Sequence, residues 1–137
     1  MKHLPRIEYK TIPHKSHRYE TVGDYWRDRR GVSQFRCSRM NRDFEFWVLI
    51  HELVEWYLTE RAGISEPKQI KPFDEQYERD RERGLHGPDA EPGHDPRAPY
   101  HRQHVFAEKV EQSIIKHLYG KRWRKVWVRY GKTVMGL

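Results

Sequence analysis

The segment His51-Glu52-Leu53-Val54-Glu55 sets three ionisable side chains directly after the apolar run Phe46-Trp47-Val48-Leu49-Ile50. On a helix, positions i and i+4 share one face, so His51 and Glu55 are spaced to hold a metal ion, with Glu52 beside them as a general base. Burying an unpaired charge costs several kcal/mol, so ionisable groups on a helix this apolar require partners. A second segment offers them: His101, His104, Glu108 and Glu111 recur at steps of three, four and three. His104 or Glu111 completes the set through a metal or as a direct His–Glu pair. The chemistry expected is that of a divalent cation, zinc foremost, which suits imidazole and carboxylate donors and supports hydrolysis.

Those residues need elements to position them. Asn41 or Asp43 is placed to cap a helix that ends near Ala62, with Gly63 at the left-handed C-terminal position. Phe46, Ile50, Leu53, Val54, Tyr57 and Arg61 form a stripe that would pack this helix on a sheet, leaving His51 and Glu55 on its edge and Glu52 further round. Upstream, residues 6–12, 19–27 and 32–38 read as strands, the last two joined by the turn Asp28-Arg29-Arg30-Gly31. Residues 73–83 read as a charged helix. Residues 84–99, with four prolines and three glycines, form a loop of a length that is usually functional or disordered. A second long helix opens at Pro99 or Tyr100 and ends near Gly120, with Phe106, Val110, Ile114 and Leu118 on its apolar side. Trp123, Val126, Trp127, Tyr130 and Val134 define a third.

The expected architecture is α+β in a single domain, residues 1–137. A small antiparallel sheet in 1–40 packs on the motif helix, 43–62, and a helical part with a basic tail, 100–134, follows the loop 84–99. Five Trp, eight Tyr and five Phe supply buried area in a chain that is 34% charged. One cysteine, Cys37, excludes an intramolecular disulfide and a cysteine-cluster zinc site, and the N-terminus has no signal-peptide pattern, so the expectation is a cytoplasmic protein. No apolar run reaches the roughly 20 residues that span a bilayer.

The strands followed by a His-Glu-x-x-Glu helix resemble the zincin metallopeptidases, whose His-Glu-x-x-His helix packs beside a small antiparallel sheet. The resemblance implies His51 as first zinc ligand and Glu52 as the base that activates water. Glu55 stands where that family has its second histidine, and its negative charge would make the metal a weaker Lewis acid. A second resemblance takes in His51 to Glu55, Phe73-Asp74, Glu78, and Asp95-Pro-Arg-Ala-Pro-Tyr-His-Arg-Gln-His104 with Ala107 to Glu111. It is to a group of small uncharacterised proteins found with phages and prophages. It implies no particular activity, but places Asp74, Glu78, Asp95, His104 and Glu111 in one site with His51 and Glu55. The expected ligand set is therefore His51, Glu55, His104, Glu111 and Asp74.

Two other functions fit parts of the pattern. Glu52-x-x-Glu55 and Glu108-x-x-Glu111 resemble the paired acidic motifs with which all-helical nucleotide pyrophosphohydrolases hold magnesium. Histidine is a poor magnesium ligand, and strands are foreign to that fold. The net charge of +7 is concentrated in the tail, where no acid follows Glu111. Lys121, Arg122, Arg124, Lys125 and Arg129 alternate with aromatics there, as in a non-catalytic nucleic-acid-binding module. The helical spacing of those aromatics assigns them to the core instead. Gly93-His94-Asp95 contains the dipeptide of the His-Asp phosphohydrolases, but Pro92 and Pro96 rule out the helix that motif needs.

Overall fold

A computed structural model describes residues 3–137. Three strands, β1 (Ile7–Ile12), β2 (Gly23–Arg27) and β3 (Ser33–Ser38), form one sheet in the order β1-β3-β2. The α+β class is as expected, but the sheet is mixed rather than antiparallel. β2 and β3 form the antiparallel hairpin, pairing Tyr25 with Phe35. Gly31 takes φ 79 in its turn, and Asp28 Oδ1 accepts from the amides of Arg30 and Val32. β1 lies parallel to β3, with Tyr9 opposite Phe35. A parallel pair requires a long connection, and here the hairpin's first strand is itself part of it. As the outer strand, β1 leaves Ile7 and Tyr9 more than a third exposed.

Helix α1 (Arg42–Arg61) starts where Asn41 Oδ1 accepts the Phe44 amide at 2.9 Å and stops before Gly63, at φ 71. A π-helical turn, Glu66–Ile70, leads into α2 (Lys71–Glu82). The 84–99 segment is an irregular loop apart from one short 3₁₀ turn, Pro92–His94. α3 (His101–Tyr119) and α4 (Trp123–Met135) complete the chain. The contacts Trp47–Tyr119, His51–Glu111 and His104–Glu55 run in opposite senses along α1 and α3, which are therefore antiparallel neighbours. Among the described residues no helix is long and apolar enough to cross a membrane.

The faces buried by α1 and α3 differ from the expected stripes. On α1 the buried residues are Phe44, Trp47, Val48, His51, Glu55, Trp56 and Thr59, while Phe46 and Tyr57 remain half exposed. On α3 they are Ala107, Glu111 and Ile115, with Phe106 and Leu118 exposed. Both helices are turned so that their ionisable residues face each other. Two apolar clusters flank this polar layer. One gathers Phe44, Trp47, Val48 and Ile115 with Val126 and Tyr130 of α4. The other joins Tyr25 and Phe35 of the sheet to Trp56, Ile70, Ala98 and Tyr100.

Candidate metal centre

His51 and Glu55 stand one turn apart in the middle of the buried face of α1, and His104 reaches them from the first turn of α3. His51 Nε2 lies 3.1 Å from Glu55 Oε2 and 3.1 Å from His104 Nδ1, and the last of these is 2.9 Å from Glu55 Oε2. Three donor atoms thus converge on one point. Ligands on a tetrahedral zinc, at about 2.0–2.1 Å, stand about 3.3 Å apart, so an ion would fit with the three side chains moving outward by a few tenths of an ångström. The remaining position faces a cleft of about 490 Å³ lined by Tyr19, Asp24, Glu52, Asp74 and Tyr100.

Two of the three are held from behind. His51 Nδ1 donates to Glu111 Oε2 at 2.6 Å, and the other oxygen of Glu111 accepts from Tyr130 at 2.6 Å. This commits Nδ1 to the carboxylate and turns Nε2 to the centre, the arrangement by which a carboxylate orients a metal-binding histidine. Glu55 Oε1 accepts from Tyr25 at 3.0 Å, leaving Oε2 for the centre. His104 Nε2 is buried without a hydrogen bond, although Glu91 Oε2 stands 3.4 Å away. Glu91, His94 and His104 form a second, more exposed group of ligand-type atoms on this outer side, where His94 Nε2 meets Glu108 Oε2 at 2.6 Å.

The electrostatics follow from that packing. Burial alone would push the Glu55 carboxyl up, but the bonds from His104 and His51 override it and hold it at about 2. Burial likewise disfavours the His51 and His104 cations, and the surrounding carboxylates more than reverse this. His51 is raised well above its usual value by Glu111 and Glu55, and His104 is raised to about 9 by Glu55 and Glu91. With protons, both rings would donate to the single oxygen Glu55 Oε2 and crowd two positive N–H groups within 3.1 Å of each other. A cation exchanged for those protons satisfies all three atoms at once.

No known family, curated protein or solved structure matches this chain.

Glu52 faces the cleft against Val48 and Gly23, where an added Cβ would lie 2.6 Å from Glu52 Oε1. Burial first, and then the Glu55 charge, raises its carboxyl well above the ordinary range, so that once ionised it is a stronger proton acceptor than an ordinary carboxylate. Among the expected ligands, Glu111 lies behind His51 rather than at the point of convergence, because its two oxygens already serve His51 and Tyr130. Asp74 is across the cleft, bonded to the Tyr100 hydroxyl, and burial raises it to about 7. Glu78 is paired with Arg81 at the rim, and Asp95 folds back on Arg97, outside the cleft.

Several supporting residues have no local signature in the sequence. Tyr25, Tyr130 and Glu91 reach the site from a strand, the last helix and the loop, so only the tertiary fold reveals them. Gly93 carries a weak signal, as an isolated glycine in a Pro-rich segment: an added Cβ would overlap the His104 ring. His14 and His17 both bond the buried Ser38 hydroxyl at 2.8 Å, and His86 stacks on Tyr77. Burial pushes the Cys37 thiol up to about 12, so it is an inert core group. Lys121, Arg122, Arg124, Lys125 and Arg129 are all exposed, and Arg124 lies over the Trp123 ring.

Proposed function

We propose that this protein is a divalent-metal hydrolase, zinc being the ion the donor set suits best, with His51, Glu55 and His104 as ligands and Glu52 as general base. The observation that carries the reading is the convergence of His51 Nε2, Glu55 Oε2 and His104 Nδ1 within 2.9–3.1 Å on the wall of a cleft. A zinc ion supplies a Lewis acid and lowers the pKa of water enough for attack at neutral pH. The chain's own residues do the rest. Glu111 and Tyr25 orient two of the ligands, Glu52 takes a proton from the attacking water, and Asp74, protonated below about pH 7, is a proton source across the cleft. Zinc is favoured over magnesium because two of the three donors are imidazole nitrogens. Glu108 and Glu111, which a magnesium-binding pair would require, are engaged by His94 and His51.

Metal analysis of untagged protein, with His51→Ala and His104→Ala beside the wild type, tests the site. The expected result is one equivalent of zinc, lost in both variants. A wild type as metal-free as the variants overturns it. Glu52→Gln separates binding from chemistry: it keeps the zinc and loses about 10²–10⁴-fold in turnover on a panel of peptide and ester substrates. Unchanged turnover removes Glu52 from its role.

A further inference from the structure

The apolar stripes that α1 and α3 turn away from the core lie side by side. Ile50 and Val54 on α1, and Phe106 and Val110 on α3, each precede by one position a residue of the α1–α3 contact, namely His51, Glu55, Ala107 and Glu111. One position is a rotation of about 100°. In an antiparallel pair the same rotation on both helices leads to the same side. The residues that follow the contact line, Val48, Glu52 and Trp56, turn the other way and meet Gly23 and Phe35 of the sheet. The helix pair therefore carries a continuous apolar face opposite the sheet. Phe46, Tyr57, Phe106 and Leu118 are 50–57% exposed on it or at its margin.

We propose that this face is the interface of a two-fold symmetric homodimer in which α1 packs antiparallel on α1 of a second copy. The face fits a second copy because its α1 stripe is self-complementary. Asp43, Phe46, Ile50, Val54, Tyr57 and Arg61 lie along one side of the helix. Turning the helix end for end about residue 52 sets Asp43 against Arg61 and Ile50 against Val54 of the other copy, and brings Phe46 to within one residue of Tyr57. Opposite charges meet at both ends and apolar groups between them, as an isologous contact requires. The area agrees. Half-exposed side chains of this size each offer about 100 Å², so the four exposed ones give about 400 Å², within the roughly 300–600 Å² of the largest, often functional, patch on a monomer. Ile50, Val54, Val110 and the charged ends bring it towards the roughly 800 Å² per partner of a specific interface. The result is a four-helix layer with a sheet on each outer side, and both clefts stay open.

Sedimentation equilibrium of the full chain at about 50 µM tests this directly. The expected mass is twice the 16.8 kDa of one chain. Phe46→Glu and Tyr57→Glu should each give single chains with unchanged circular dichroism. Asp43→Arg and Arg61→Asp should each weaken the dimer at least tenfold at low salt, and the two together should restore it. A wild type that sediments as one chain overturns the proposal and leaves the face to a different partner. So does a dimer indifferent to Phe46→Glu, and so does a charge reversal that the second reversal fails to rescue. None of these residues touches the metal centre, so the dimer stands or falls separately from the hydrolase reading.

Discussion

Glu111 Oε2 accepts the Nδ1 proton of His51 at 2.6 Å, from a position 60 residues away in sequence. That bond decides what His51 can do, because it commits one ring nitrogen to a carboxylate and turns the other towards Glu55 and His104, where it carries either a proton or a metal ion. Glu111→Ala should lower zinc affinity about 10–100-fold, the usual cost of removing a group that orients a metal-binding histidine. Glu111→Gln, which still accepts the proton, should lower it less. Competition with a chromogenic chelator measures both. Equal affinities for wild type and Glu111→Ala would mean that His51 does not need this support.

Gly23 and Gly93 let backbone approach the two functional halves of the site, so an added methyl group at each should have a different effect. At Gly93 it overlaps the His104 ring and should displace that ligand, costing about 1–3 kcal/mol of stability together with zinc affinity. At Gly23 it stands 2.6 Å from Glu52 Oε1 and 2.8 Å from Val48, so Gly23→Ala should keep the zinc and lose turnover. Gly87→Ala, with nothing within 4 Å, is the control. Urea denaturation and metal stoichiometry on the three variants distinguish these outcomes. Full zinc retention in Gly93→Ala would show that His104 is not a ligand.

Much of the site is legible in the sequence because helical spacing is local. His51 and Glu55 one turn apart, and His104 and Glu111 two turns apart, meet wherever their helices pack. The rotation of α1 is not legible, since apolar residues occur on all its sides: Phe44, Trp47, Val48 and Trp56 compete with Phe46, Ile50, Leu53 and Tyr57 for the core. What breaks the tie is the requirement that His51 and Glu55 find partners, a long-range condition that no window of sequence contains. The same applies to β1. Its extended conformation is local, but its parallel pairing to β3 depends on where β2 has been placed.

The start of α1 fixes the phase of everything along it, because the Asn41 side chain satisfies the Phe44 amide at 2.9 Å. Asn41→Ala should cost about 1 kcal/mol, a fall of about 2–6 °C in Tm for a chain of this size. Zinc stoichiometry should stay at wild-type level, since His51 lies more than two turns from the cap. Thermal melts monitored by circular dichroism check the first part. A drop in bound zinc larger than the drop in stability would mean that the cap also sets the ligand geometry.

Asp74 gives the fold a pH dependence of definite sign. Burial raises its carboxyl from 3.8 to about 7 in the folded state, with the Glu55 charge adding to the effect and the Tyr100 hydroxyl opposing it. Below pH 3.8 the group is protonated whether the chain is folded or not, and it contributes nothing to the slope. Between 3.8 and about 7 the unfolded chain ionises it while the folded chain keeps the proton, so stability falls as pH rises through that window and levels off above it. A tenfold difference in proton affinity between the folded and unfolded chains is worth about 1.4 kcal/mol, so the loss across the whole window comes to a few kcal/mol. Asp74→Asn, neutral throughout and still able to accept from Tyr100, should therefore match the wild type near pH 4 and exceed its stability at pH 8. Urea unfolding at pH 4, 6 and 8 tests this, and parallel curves for the two proteins would place the Asp74 proton in the solvent rather than in the cleft.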